Sequence, residues 1–329
     1  MRAERDGSRG AALAGAVRAR QWLRDMPWET VGVPMAVVAI STFFSLMSPH
    51  FLRLENMANI GRQTAAMALV AWGQTMVILS GGIDLSPGAV VAFVSVVAAT
   101  IIKAQGWVPG VLAGIGVGVA FGLTSGLLIA LLRLPPFIVT LGMMSVARGA
   151  ALTYTGGVPV FGLESKWFSW LGSGTLGGVP VMVVFALAGF LATYFILTRT
   201  RLGVYTYAIG GNETAARWAG IPVERNKVYI YTYAGLLTGL AGVLLAARVN
   251  SGQPLLGSNL ELQSIASVCI GGTSLFGGRG SLVGTLFGVL LIGVLNNGLN
   301  ILGVSSFVQQ MIIGFTILIA VLVSVWRQR

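Results

Sequence analysis

The feature that most constrains the fold is a series of apolar runs, each close to the length of a lipid bilayer. A transmembrane helix needs about 20 mostly apolar residues. Ten stretches approach this length: 31–47, 58–80, 87–105, 109–132, 136–155, 179–198, 227–249, 259–277, 281–301 and 306–326. Only 9% of the residues are charged, against about 25% in soluble domains. The sequence therefore predicts an all-α integral membrane protein with about ten transmembrane helices.

The basic residues predict the orientation, because Lys and Arg concentrate on the cytoplasmic side of membrane proteins. We interpret residues 1–30 as a cytoplasmic tail and 31–326 as the transmembrane domain, so that ten spans return the C-terminus to the cytoplasm. The inner side then holds the six arginines of the tail and nine further basic residues: Arg133, Arg199, Arg201, Arg217, Arg225, Lys227, Arg279, Arg327 and Arg329. The net charge of +11 therefore indicates membrane orientation, not nucleic acid binding.

This orientation also places the polar segment 199–227 in the cytoplasm, although one span more or fewer before it would invert that. Within the segment, Asn212 is a favoured N-cap and Glu213 follows at the positive end of a helix dipole. Pro222, shortly after Gly220, stops the helix. We predict a surface helix of about two turns.

Catalytic chemistry finds no support in the sequence. His50 and Cys269 are the only residues of their types, and the scattered acids offer no nucleophile, base and orienting group together. Nor do they form a set of metal ligands. None of the three lysines follows a glycine as a phosphate-binding loop requires. We expect no enzyme activity and no cofactor in this chain; if ATP drives it, another chain hydrolyses the ATP.

A second informative segment lies between the spans 58–80 and 87–105. Gly81 and Gly82 break a helix, and Ser86 precedes a proline in the first turn of the next. Asp84 between them has two interpretations. It caps the new helix at the membrane edge, or it serves the transport pathway or its gate, since acids at membrane depth are usually functional.

Polar residues within the spans are mostly uncharged. Asn296, Asn297 and Asn300 form the densest group, and Asn296 shares a helix face with Asn300. Hydrogen bonding between helices is one explanation. The other is a path for a polar, uncharged solute such as a sugar.

Two further patterns concern packing and partners. Glycines recur every fourth residue from Gly110 to Gly126, a ridge that favours close helix contact or, alternatively, sliding during conformational change. Residues 156–178 form the longest outer connection. Trp167, Phe168 and Trp170 there suit an interfacial aromatic belt or a surface for an extracytoplasmic partner.

Three motifs resemble one family of membrane proteins. Residues 80–88 (SGGIDLSPG) resemble the signature of permease subunits of ribose/xylose/galactose-type ABC importers. Residues 200–203 (TRLG) with 208–221 (AIGGNETAARWAGI) are similar to the cytoplasmic coupling segment of that family, and 295–306 (LNNGLNILGVSS) to its C-terminal part. Residues 275–282 (LFGGRGSL) are shared with the related branched-chain amino-acid permeases. The match covers residues 30–326, with the motifs in consistent order.

The resemblance implies a permease of about ten helices in the bacterial inner membrane, paired with a second copy or a close paralogue. It also implies two ATP-binding subunits, with ATP and Mg²⁺ bound there, and an extracytoplasmic sugar-binding protein. The coupling residues implied are Asn212, Glu213, Thr214, Ala215, Ala216, Arg217, Ala219, Gly220 and Ile221. The pathway or gate candidates are Gly81, Gly82, Asp84, Ser86, Asn296, Asn297 and Asn300. The alternative is a self-sufficient channel or an ion-coupled carrier for a small polar solute.

Overall fold

The computed structural model describes residues 28–327, and the predicted tail, residues 1–30, lies outside this range up to residue 27. The first helices are α1 (Trp28–Met47), α2 (Leu54–Leu79), α3 (Pro87–Gln105), α4 (Trp107–Leu131), α5 (Pro136–Thr155) and the short α6 (Lys166–Ser173). After a hairpin of β1 (Thr175–Leu176) and β2 (Val179–Pro180) come α7 (Val181–Arg199), α8 (Arg201–Gly211), α9 (Glu213–Trp218), α10 (Val223–Val249), α11 (Leu260–Ile270), α12 (Leu282–Ile301) and α13 (Ser306–Arg327).

The helical multi-pass architecture is confirmed. Within residues 28–327, six helices are long and apolar enough to cross a membrane: α3, α4, α5, α7, α10 and α12. The predicted span 259–277 differs most from the structure, because its helix α11 has only 11 residues and ends at Ile270. Gly272 then takes the left-handed conformation, with φ +86°, which glycine adopts without steric cost.

The glycine ridge of α4 forms a close helix contact. Gly110, Gly114, Gly118, Gly122 and Gly126 are all buried, and the last four face α10. A Cβ added at Gly118 would overlap the backbone of Gly235 and Gly239, and one at Gly122 would overlap the carbonyl oxygen of Tyr231. Glycines on both helices thus let the two backbones meet directly.

Helix α10 forms the centre of the bundle, since α2, α3 and α4 all pack around it. Polar side chains tie the neighbouring helices together. The indole N–H of Trp72 on α2 donates to the carbonyl oxygen of Ala186 on α7 (3.1 Å). The hydroxyl groups of Thr193 on α7 and Tyr233 on α10 lie 2.8 Å apart. Such bonds satisfy polar groups that lipid cannot.

The outer connection 156–178 has secondary structure of its own, since it contains the short helix α6 and strand β1. Ser165 caps α6, because its hydroxyl oxygen accepts a hydrogen bond from the N–H of Phe168 (3.3 Å). The Phe168 side chain is fully buried, whereas Trp167 is 64% exposed. Of the three aromatic residues expected at the interface, Phe168 therefore belongs to the core.

The ridge gives a first prediction. Gly122→Ala forces a methyl group into the Tyr231 carbonyl, so we expect a loss of about 1–3 kcal/mol in stability, as for other overpacked sites. Gly116→Ala is the matched control, because no atom lies within 4 Å of its added Cβ and alanine favours the helix. Thermal unfolding of the detergent-solubilised protein measures both. Equal midpoints for the two variants would contradict this account of the ridge.

Candidate functional site

Segment 199–227 contains the predicted short helix with the predicted cap. Asn212 precedes α9, and its side-chain oxygen accepts a hydrogen bond from the N–H of Ala215 (2.9 Å). Gly220, with φ +80°, ends the helix: its N–H donates to Arg217, and the N–H of Ile221 donates to Ala216. This glycine-dependent stop is a Schellman motif. Pro222 instead directly precedes α10.

Helix α9 has a buried side and an exposed side. Ala216 is 4% exposed and packs in a small cluster with Ile209 of α8 and Val223 of α10. Ala216 therefore anchors the helix and does not contribute to its outer surface. The exposed side consists of Thr214, Ala215, Trp218 and Ala219.

Trp218 was absent from the coupling residues predicted from the sequence, yet its side chain is 87% exposed. Tryptophan is enriched among the residues that dominate the energy of protein interfaces. A tryptophan held on a capped helix, beside small residues, is a suitable contact for a partner protein. The sequence did indicate this role, because an aromatic residue such as Trp218 in a polar loop is not covered by the bilayer and is therefore available to a partner.

Four charged side chains fasten α9 to α10. Glu213 forms ion pairs with Arg217 (2.8 Å) and, through its second oxygen, with Lys227 of α10 (2.7 Å). Arg217 also pairs with Glu224 of α10. A single exposed ion pair contributes little to stability, but here Glu213 and Arg217 each have two partners. Glu213 and Arg217 therefore fix the helix and do not point freely toward a partner.

The electrostatics of α9 follow from these pairs. Burial alone would raise the pKa of Glu213, but hydrogen bonds from Lys227 and Arg217 outweigh it, so the pKa lies below the ordinary value of 4.5. Hydrogen bonds to Glu224 and Glu213 raise the pKa of Arg217. A carboxyl group with a lowered pKa stabilises the fold above its unfolded pKa. The contribution of Glu213 is thus complete at neutral pH and is lost as the pH falls below 4.5 through the lowered value.

Helix α8, which the sequence did not predict, connects α9 to the interior of the bundle. Its Gly210 meets the end of α2, where an added Cβ would overlap the carbonyl oxygen of Leu79. The N–H of Gly278, in the loop after α11, donates to the same oxygen (3.0 Å). The hydroxyl group of Tyr207 donates to the carbonyl oxygen of Gly280 in that loop (3.1 Å). One helix therefore contacts both helix breaks of the transmembrane domain.

The two breaks have the same turn. After α2, Gly81 has φ +81°, and the N–H of Gly82 donates to Val77 (3.0 Å). After α11, Gly272 has φ +86°, and the N–H of Thr273 donates to Val268 (3.2 Å). Both are Schellman stops, and the two segments have similar sequences, VILSGGID at 77–84 and VCIGGTS at 268–274.

Asp84 lies in the extended stretch between α2 and α3 and is 5% exposed. One carboxylate oxygen accepts hydrogen bonds from the N–H (2.8 Å) and the hydroxyl group (2.7 Å) of Ser86. Ser86 occupies the N-cap position of α3, so Asp84 stabilises the start of α3 through it. Nearby, a Cβ at Gly82 would overlap the hydroxyl group of Tyr231. The first group of gate candidates thus surrounds the beginning of α3.

The three asparagines of α12 divide between two roles. Asn297 exchanges hydrogen bonds with Asn56 of α2 (2.9 Å each), and Asn300 accepts one from Gln309 of α13 (3.1 Å). These two join helices, as the first interpretation predicted. Asn296 instead lines a cleft between α2, α11, α12 and α13. The structure therefore places the asparagines and the Asp84 group at separate positions.

Glu261 was also absent from the site residues predicted from the sequence. It lies in the first turn of α11, where a Cβ added at Gly88 of α3 would overlap one of its carboxylate oxygens. Among residues 28–327, no cluster of three or more His, Cys, Asp or Glu side chains is placed to hold a metal ion.

Comparison with known proteins identifies the family. The family described as "Branched-chain amino acid transport system / permease component" matches residues 56–321. The chain belongs to this family of ABC-importer permeases. No solved structure matches it significantly.

Curated relatives confirm the resemblance to simple-sugar importers. The chain is 44% identical to the ribose import permease protein RbsC of Escherichia coli K12 over 298 residues, 89% of this chain and 93% of the relative. It is 46% identical to RbsC of Bacillus subtilis 168 over 296 residues, covering 89% and 92%. The D-allose transport system permease protein AlsC of E. coli K12 is 36% identical over 297 residues, covering 89% and 91%. With its apolar helices, the chain is a multi-pass inner-membrane protein.

The ion pairs give a second prediction. Glu213→Gln removes the charge that holds Arg217 and Lys227, so we expect trypsin to cleave within 212–227 several times faster at neutral pH. Glu164→Gln is the control, because Glu164 is exposed on the outer connection and has no ion pair within the described part of the chain. Mass spectrometry of the digests measures the rates. Unchanged cleavage would show that the ion pairs do not hold α9.

The contact of α8 with the helix breaks gives a third prediction. Gly210→Ala drives a methyl group into the Leu79 carbonyl and separates α8 from both breaks. We expect faster amide hydrogen exchange in 77–86 and 271–281, because the Gly278 to Leu79 bond is strained or lost. Gly211→Ala is the control, with open space around its added Cβ. Equal exchange in the two variants would contradict the proposed contact.

Proposed function

We propose that this chain is the membrane-spanning subunit of an ATP-driven importer of a monosaccharide of the ribose type. The observation that carries the proposal is the similarity to ribose import permeases over 89% of the chain. The exposed helix α9 supports it independently, because a permease without its own ATP site needs a surface through which another chain drives it. The relative named for D-allose favours the wider class of monosaccharides.

The proposed topology has ten spans, with both termini in the cytoplasm. It counts α1, α2, α11 and α13 together with the six helices that are clearly long and apolar enough. Helix α11 and the loop after it together form one of these spans. The contacts among α8, the α2 break and the α11 loop support this count, since all three belong to the cytoplasmic side in the ten-span arrangement.

The proposed partners follow from the importer class. Two copies of this chain, or this chain and a close paralogue, would enclose the pathway, and two ATP-binding subunits would carry ATP and Mg²⁺. A sugar-binding protein would deliver the solute from outside. ATP binding and hydrolysis then change the affinity of those subunits for two states of the permease.

Segment 199–227 is proposed to transmit this change. Thr214, Ala215, Trp218, Ala219 and Gly220 would contact the ATP-binding subunit. The ion pairs from Glu213 and Arg217 to α10 make α9 follow that helix. Helix α8 would pass the movement to the breaks after α2 and α11, where Gly81, Gly82, Asp84 and Ser86 shape the start of α3. The gate is proposed at this junction.

A fourth prediction tests the coupling surface and the function together. Trp218→Ala removes an exposed aromatic contact of the kind that often contributes at least ~2 kcal/mol to an interface. We expect at least a tenfold loss of copurified ATP-binding subunit and a similar loss of ribose uptake, with normal insertion. Trp167→Ala, which removes another exposed tryptophan far from α9 in sequence, is the control for copurification of the ATP-binding subunit.

The same assay distinguishes the two function classes. Wild-type permease, reconstituted in liposomes with its ATP-binding subunits and binding protein, should take up labelled ribose only with ATP. Uptake by this chain alone, driven by an ion gradient, would instead establish the carrier alternative.

A further inference from the structure

The cleft that contains Asn296 has a volume of about 320 Å³. Ligand pockets range from about 300 to 1,000 Å³, so this one suits a single small ring. Gly293 forms part of one wall, where it lets α12 pack closely against α2: a Cβ there would overlap Thr64 of α2.

Carboxamides dominate the polar lining of the cleft. Gln63, Asn259, Gln263, Asn296 and Gln310 come from four different helices or their caps and line the same space. Asn259 takes the left-handed conformation directly before α11, with φ +67°, which asparagine tolerates better than most residues. The N-terminal end of the short helix α11 therefore places the Asn259 amide at the cleft.

These five carboxamides have free hydrogen-bonding capacity. Within residues 28–327, none of their side chains forms a hydrogen bond with another part of the protein, whereas Asn297 and Gln309 beside them do. A carboxamide has two N–H donors and an oxygen acceptor. Asn296 is buried, Gln63, Asn259 and Gln263 are half-buried, and Gln310 is exposed at the mouth of the cleft. Five such groups around one space can therefore hydrogen-bond a polar ligand.

The residues that line the cleft also indicate which class of ligand suits it. The residues around the cleft include no Asp, Glu, Lys or Arg, so an ion would lose hydration without gaining a counter-charge. Met67, Leu260 and Ile313 add apolar surface that suits C–H groups. Neutral donors and acceptors beside apolar surface match a polyhydroxylated ring.

The position of the cleft fits entry from outside. Gln63 lies in the first half of α2, Asn296 in the second half of α12 and Gln310 near the start of α13. In the ten-span topology, these three positions all fall in the outer half of the membrane.

We propose that this cleft is the site in the membrane domain that receives a neutral monosaccharide, held by the carboxamides of Gln63, Asn259, Gln263, Asn296 and Gln310. The inference rests on the proposed function and deepens it by naming the residues that contact the sugar. The sugar reaches the cleft from the binding protein and exchanges its hydrogen bonds with water for bonds to the amides.

Apolar replacement of two amides tests the site in the complete reconstituted importer. The double variant Gln263→Met, Asn296→Leu keeps side-chain volume and removes both amides. We expect labelled ribose uptake to fall at least tenfold while copurification of the ATP-binding subunit stays at the wild-type level. Gln105→Met, an exposed amide at the end of α3, makes the same change away from the cleft and should keep wild-type uptake.

Thiol protection tests occupancy without relying on transport. The native Cys269 is buried, with 4% exposure, so a cysteine introduced by Gln263→Cys is the accessible thiol to follow. We expect increasing concentrations of D-ribose to slow its maleimide labelling severalfold and to leave that of Gln105→Cys unchanged.

The outcomes separate this inference from the proposed function. If the wild-type importer takes up ribose but the double variant does so equally well, the cleft assignment is wrong and the function stands. Equal labelling of Gln263→Cys with and without ribose also overturns the assignment. If the wild-type importer accumulates no monosaccharide, the proposed function fails and the assignment fails with it.

Discussion

The pairing of backbone N–H and C=O groups inside the protein is the constraint on which this structure depends, because lipid offers no partners. The breaks after α2 and α11 satisfy it in two ways. Each ends in a Schellman turn with a left-handed glycine, Gly81 or Gly272. The two breaks then meet, as the N–H of Gly278 donates to the Leu79 carbonyl. Interrupted helices are tolerated here because other backbone covers them.

The same need for close backbone contact links the breaks to segment 199–227. Gly210 lets α8 touch the Leu79 carbonyl, and Tyr207 binds the loop after α11. Helix α9, which follows α8, is held to α10 by ion pairs. The glycines of α10 in turn pack directly against the backbone of α4. In the proposed coupling, a movement of α9 would act on the central helix and on both interruptions at once, because the contacts between them are too tight for side-chain rearrangement to absorb it.

The sequence predicted those features that depend on local rules. The Asn212 cap, the short helix after it and the buried face of the α4 glycines follow from residue type and spacing. Helix α8 escaped prediction because Gly203, Gly210 and Gly211 weaken its propensity, and tertiary contacts stabilise it. The inward side of Ala216 and the burial of Phe168 depend on neighbours distant in sequence. The cleft was also out of reach, since its amides come from residues 63 to 310 and only packing brings them together.

The distribution of charge explains how one bundle serves both structure and transport. Two acids lie near helix starts. The buried Asp84 binds Ser86 at the beginning of α3, and the partly buried Glu261, in the first turn of α11, lies against Gly88 in the first turn of α3. The positive end of a helix dipole favours an anion there. The cleft, by contrast, is lined by neutral amides. An ion-coupled carrier places its ion and solute sites together, at interrupted helices near the midplane. Here Asp84 stabilises an interruption, and Glu261, although flanked by cleft residues on α11, does not itself line the cleft. This arrangement fits the proposed entry of the driving force through α9 and an uncharged solute path.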